Sequence, residues 1–347
     1  MNKTKELRYE ILRVIAICCV IFNHTGDNGF FRFTVTDNIV EYMISMLLAI
    51  FCKVGVPIFF MISGALLIPK EEDLTTLLKK RILRIVVAIV LFSFVLYVRQ
   101  YLHHPEYGFG ISYFIKYIYS QPFVTPYWFL YSYLAILLLL PFLRKMARNM
   151  SKNDYLYFMV LVILFQCFIP IFNYFYGANL NINLFICESS VAFFLLGYGM
   201  DYVCDLSVYT KRGCYILQLV AFVSIILSGF MVYIDYKRSG GYTENFISVF
   251  VTVQAVTLYY CMKYWCRPTE KTLLGWLRKM IIYMGSCTFG IYLLEEILRT
   301  DIECIFGYLC PPLPSLIVCV IYIILVMCVG TLSVSILKKI PGLKKLL

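Results

Sequence analysis

The sequence predicts an all-α, polytopic membrane protein of about ten transmembrane helices, with both termini cytoplasmic and a single domain over residues 1–347. Three observations predict it. Hydrophobic residues make up 61% of the chain and charged residues 15%, with mean hydropathy +0.79, against about 45–50% and about 25% in a soluble domain. Apolar runs of bilayer-crossing length, about 20 residues each, recur from end to end with short connections. The basic residues gather in alternate connections.

The apolar segments run over 10–26, 39–68, 82–102, 127–143, 155–175, 182–203, 214–234, 245–264, 281–299 and 313–337. The first resembles the front of a signal peptide but has no small-residue cleavage site, so it is read as a retained helix. The second carries Lys53, Gly55 and Pro57, which predicts a kink or break. Between the third and fourth, "ISYFIKYIYS" is an amphipathic piece suited to the membrane interface. No repeat, low-complexity tract or soluble domain interrupts the series.

One set of connections holds 23 Lys and Arg, the other 6. Cytoplasmic loops carry the excess, so odd-numbered helices run outward and the net charge of +11 is a topology signal. No nucleic-acid partner is expected, and the plasma membrane is the expected location. The fourteen cysteines lie mostly in apolar runs, with no CxxC pair and no ligand spacing with histidine. They read as packing residues, and no metal is expected. Cys304 and Cys310, near an outer loop, suit a bridge if that face is oxidising.

The chemistry centres on "RVIAICCVIFNHTG". Arg13 and His24 are eleven residues apart, which on a helix is ~16–17 Å and within ~20° of the same direction. A shared polar stripe belongs against the bundle interior or a water-filled cavity. The plainer reading has Arg13 snorkelling to lipid phosphates and His24 among headgroups. His24 is nevertheless the one membrane-embedded side chain whose ordinary pKa suits proton transfer near neutrality.

Other polar groups gather toward the same outer half: Glu188 early in the sixth segment, and Glu295 and Glu296 late in the ninth. Adjacent glutamates diverge by ~100°, so at most one of the latter faces His24; a wet helix end is the alternative for both. Asn23, Tyr127, Trp128 and Glu296 are candidates for substrate contact. At the inner side Arg81 and Arg84, three apart, share a helix face and suit a bidentate grip on phosphate, although clusters of this kind also serve only to orient the chain.

At these residues the sequence resembles the acyltransferase-3 family of integral-membrane acyltransferases. Arg13 and His24 reproduce its Arg/Lys-x10-His pattern, "GVPIFFMISGALL" its G-V-x-x-F-F-x-x-S-G stretch, and "RILR" its RxxR motif. "YWFLYSYLAILLLLPFL" is similar to its W-F-L segment and "GSCTFGIYLLEEIL" to its S-F-G-I-Y-L-L-H segment. Two positions depart: Glu295 stands where the family often has His, and Pro57 where it usually has Asp.

The resemblance implies transfer of an acyl group, usually acetyl, from cytoplasmic acyl-CoA to a hydroxyl of an extracytoplasmic glycan. The acceptor is a cell-surface polysaccharide or a lipid-linked glycan. His24 then corresponds to the essential histidine, acting as base or acyl carrier, with Glu188 or Glu295 as a carboxylate partner. Arg13, Arg81 and Arg84 correspond to residues of donor handling or site integrity. Homo-oligomerisation is left open. A transporter or flippase moving a glycan precursor without covalent chemistry is the competing reading; such proteins often carry inverted repeats, and none is visible.

Overall fold

All regular structure is helical in the described part of the computed structural model, residues 7–104, 109–182, 184–204, 209–242, 244, 246–269, 275–310 and 312–347. Lys3, Lys5 and Lys271 of the charge count lie outside these residues. The helices that build the bundle are α1 (Leu7–Asn23), α2 (Ile39–Leu67), α3 (Leu74–His103), α4 (Thr125–Asn149) and α5 (Lys152–Tyr176). They continue with α6 (Ser189–Tyr198), α7 (Lys211–Ser239), α8 (Val251–Thr269), α9 (Gly275–Ile302) and α10 (Ser315–Leu337).

Seven of them, α2 to α5, α7, α9 and α10, are long and apolar enough to cross a membrane, which makes this a multi-pass membrane protein. The other three expected segments fold as helices but fall short, for local reasons. α1 has 17 residues and carries Arg8, Glu10 and Arg13. α6 has 10 and passes into a π-helical turn over Gly199–Val203. α8 has 19 residues, Lys263 among them. The piece at 111–120 forms a helix with Phe114 buried and Ile111, Ile115 and Tyr119 exposed.

Local chemistry sets the helix ends. Asn38 accepts from the backbone amides of Val40 and Glu41 at the start of α2, and Ser151 and Asp154 form a reciprocal capping box on α5. Gly177 and Gly240 terminate α5 and α7 in the left-handed region, φ 64° and 71°. α2 is broken at Lys53–Val54 between Ile39–Cys52 and Gly55–Leu67, as expected. Pro57 has no amide proton, and its ring would collide with the Lys53 carbonyl four residues back in a continuous helix.

α1 is the central helix, packed against α2, α8, α9 and α10. Backbone-to-backbone approach joins α2 to α6. A Cβ at Gly64 would sit 1.7 Å from the Phe194 carbonyl oxygen, and one at Gly197 would sit 1.9 Å from that of Met61. Where lipid removes the hydrophobic drive between helices, such bare contacts supply the van der Waals attraction.

A buried carboxylate ties the N-terminal end of α1 to α8 and to the turn after α6. Asp201 Oδ1 accepts from Arg8 at 2.8 Å and faces Lys263 Nζ at 3.1 Å; its Oδ2 accepts from Tyr9 at 2.5 Å and Tyr259 at 2.7 Å. Both oxygens are satisfied, the condition for a buried ion to be tolerated. Cys304 and Cys310 are free thiols.

Candidate active site

α1 ends at Asn23, and the residues that follow are pinned. Thr25 Oγ1 donates to the Phe22 carbonyl at 2.7 Å and accepts from the Phe30 amide at 3.0 Å. Asn23 Nδ2 donates to the Cys52 carbonyl at 3.2 Å. Cys52 is the last residue before the break in α2, where carbonyls lose their intrahelical partners, so the break supplies the acceptor that holds the end of α1. Asn23 therefore fixes backbone, and its Oδ1 is buried without a partner.

His24 comes next in the chain. Its Nδ1 lies 2.8 Å from Glu295 Oε2 on α9, with the histidine side chain 21% exposed and the glutamate 1%. A carboxylate here accepts the Nδ1 proton, which places the neutral ring's lone pair on Nε2. Among the described residues Nε2 makes no hydrogen bond, and the other carboxylate oxygen, Glu295 Oε1, is buried without a partner.

Two tyrosines lock α9 against the start of α4. Tyr127 donates to the Leu293 carbonyl at 2.7 Å, and Tyr292 donates to the Pro126 carbonyl at 2.5 Å. This exchange fixes the turn of α9 that carries Glu295. It also corrects the expectation that Tyr127 meets substrate, because that side chain is fully buried and committed to backbone. Trp128, the next residue, is exposed on the outside of the bundle.

Of the adjacent glutamates only Glu295 faces His24; Glu296 is turned away and accepts from Arg299 Nη2 at 2.5 Å. Glu188 does not take up the imidazole as expected. It sits exposed at the residue before α6, because the described residues between 177 and 188 form no α-helix that would carry it into the bundle.

Along α1 between Arg13 and Val20 a cavity of about 310 Å³ opens, walled by α1, α2, α3, α4 and α9. Arg13, Ser63, Arg84, Phe129, Tyr133 and Tyr292 contribute to its wall. The wall extends along α1 to Val20, one turn before His24, and along α9 to Tyr292, one turn before Glu295. Arg13 Nη1 donates to Glu10 at 2.6 Å. Arg84 Nε donates to the Leu346 carbonyl at 2.9 Å, its guanidinium lies 5.3 Å from the centre of the Phe289 ring, and Leu347 joins the wall beside it.

Arg81 and Arg84 do not form the expected pair. Arg81 lies in a π-helical turn, Leu77–Ile82, and Arg84 in the α-helix that follows. The wider turn displaces the first from the face of the second. Arg81 instead binds Glu72 through Nε at 2.8 Å, and Arg144 reaches the same carboxylate at 3.0 Å. Hydrogen bonding from Arg81, against the opposing effect of burial and with Arg144 adding to it, holds the Glu72 carboxyl down at about 2. Arg81 thus braces the connection between α2 and α3, and Arg84 alone of the two reaches the cavity.

Glu10, Ser63, Tyr133 and Tyr292 were not singled out in the sequence. The signal for Glu10 was present, since an acid three residues before an arginine on a helix pairs with it. The other three lie inside the matched stretches as ordinary-looking polar positions.

Each of those five stretches reaches the cavity: Arg13, then Val56, Phe59 and Ser63, then Arg84, then Phe129 and Tyr133, then Gly285 to Tyr292. They are far apart in the chain and adjacent in the bundle. No curated protein and no solved structure matches the chain. The acyltransferase-3 family model, described as an acyltransferase domain, matches residues 7–337, from the first residue of α1 to the last of α10. The chain therefore belongs to the acyltransferase-3 family.

Proposed function

We propose that the protein is an O-acyltransferase that moves an acyl group, acetyl by preference, from cytoplasmic acyl-CoA to a hydroxyl of an extracytoplasmic glycan. The observation that carries this reading is the His24–Glu295 pair, 2.8 Å apart, standing one helical turn from a cavity that Arg13 and Arg84 border. A general base needs an oriented imidazole, and a polyanionic donor needs fixed cations. The positive-inside asymmetry, 23 against 6, supports an orientation with the arginine end toward the cytoplasm and the histidine end away from it.

In the reaction His24 Nε2 takes the proton of the acceptor hydroxyl as its oxygen attacks the thioester carbonyl. Glu295 holds the ring and balances the imidazolium charge. The carbon–sulfur bond breaks, the new ester oxygen–carbon bond remains, and the imidazolium returns its proton to the leaving CoA thiolate. Arg13 and Arg84 neutralise donor phosphates at the other end of the cavity.

The test is thioester turnover by purified protein in detergent with labelled acetyl-CoA and glycan extract. Wild type should transfer or hydrolyse the label, and His24→Ala should not. Glycan translocation that persists in His24→Ala with no thioester turnover would replace this reading with the transporter one.

A further inference from the structure

Two carboxylates are buried at the N-terminal end of α1, and they are treated differently. Asp201 has donors on both oxygens. Glu10, also 2% exposed, uses Oε1 for Arg13 Nη1 and leaves Oε2 buried with no partner. A half-satisfied buried carboxylate is a poor way to stabilise a fold, because desolvation offsets most of what one ion pair returns.

The α9 backbone is shaped to accept it. Gly285, at the cavity wall, has bare Cα where Glu10 lies, and a Cβ built there would meet Glu10 Oε2 at 2.3 Å and Glu10 Cβ at 2.9 Å. The glycine that opens "GSCTFGIYLLEEIL" therefore makes room for a carboxylate three residues before Arg13. Arg13 itself is 26% exposed and lines the cavity. Of its five N–H donors, the Glu10 contact occupies one, and among the described residues Arg13 donates no other hydrogen bond.

We infer that Glu10 is a positioning residue: seated against Gly285, it holds the Arg13 guanidinium in the orientation that receives the phosphates of the acyl donor. The inference rests on the acyltransferase reading of the cavity and adds a residue to it. The bond to Arg13 needs an acceptor oxygen at that place, which an amide also provides, so the glutamine variant should work where alanine does not.

The experiment measures CoA binding by calorimetry and acetyl-CoA kinetics on the purified full chain, with melting temperature in detergent as the control. Glu10→Ala should raise the KM for acetyl-CoA and the Kd for CoA about tenfold, as expected for loss of one charge-assisted contact. Its kcat should stay within about threefold of wild type, and its melting temperature should be unchanged or higher.

Glu10→Gln should bind and turn over like wild type. Gly285→Ala should reproduce the Glu10→Ala defect. In an Arg13→Ala background Glu10→Ala should add nothing, since its action runs through that arginine. Wild-type KM and Kd in Glu10→Ala, an effect additive with Arg13→Ala, or a defect that follows the melting temperature overturns the positioning role while the acyltransferase reading stands. A wild-type protein that neither binds CoA nor consumes the thioester overturns both.

Discussion

The two ends of α1 are built on different principles. At the C-terminal end one imidazole meets one buried carboxylate at 2.8 Å, with the tyrosine exchange behind it. Farther back along α1 two guanidiniums border about 310 Å³ of open volume, each tethered among the described residues by a single hydrogen bond, Arg84 with the Phe289 ring beside it. The first has the rigidity a reacting centre needs, where a misplacement of about 1 Å can reduce rate about 100-fold. The second has the room and charge of a receptacle, which tolerates variation in what it holds. Substitutions at the first end should therefore act on kcat and those at the second on KM.

The largest expected effect is His24→Ala, a fall in kcat of about 10²–10⁴-fold with little change in the KM for acetyl-CoA, read by steady-state thioester turnover. A change confined to KM would reverse the roles of the two ends. Glu295→Gln keeps the side chain's shape but removes the charge that holds the Nδ1 proton, and about a 100-fold loss of kcat is expected. Retained activity in this variant would show that the pair is architectural.

Arg84→Ala sharpens the comparison from the other side. It should raise the KM for acetyl-CoA about tenfold, about 1.4 kcal/mol, with kcat largely kept; single-turnover measurements at saturating donor separate the two. A kcat loss as deep as that of His24→Ala would erase the distinction between centre and receptacle.

The smallest effect concerns the brace beside the receptacle. Glu72 is held at about 2, below its ordinary 4.5, so its contribution to stability is complete above the ordinary value and is lost as pH falls toward 2. The difference in melting temperature between wild type and Glu72→Gln should be constant above about pH 5.5 and shrink below it. A difference that widens on acidification would mean the brace is wrongly identified.

What the sequence disclosed follows the range of each interaction. The apolar runs and the break in α2 before Pro57 depend on residues within one helix, so composition and helical geometry sufficed. Glu295 became the partner of His24 because of how α9 is turned, and that turn is fixed by Tyr127 of α4 and Tyr292 of α9, each donating to a carbonyl of the other helix, which no local pattern reveals. Glu188 looked equivalent on depth alone, but depth presumed a helix where the chain runs irregularly. Arg81 and Arg84 separated because one π-helical turn breaks α spacing, and nothing in "KKRILR" announces that turn. Gly285 was visible as a motif residue; its reason, the carboxylate of Glu10, lies on another helix.

The acceptor that Arg84 finds on the tail is the main-chain carbonyl of Leu346. Main chain is the same whatever side chain it bears, so single replacements across residues 341–346 leave that acceptor in place. A scan of point substitutions would then score the segment as tolerant. Removing or inserting one residue there would slide the carbonyl past the guanidinium and withdraw Leu347 from the cavity wall. The segment is read by its length, and only length variants will reveal it.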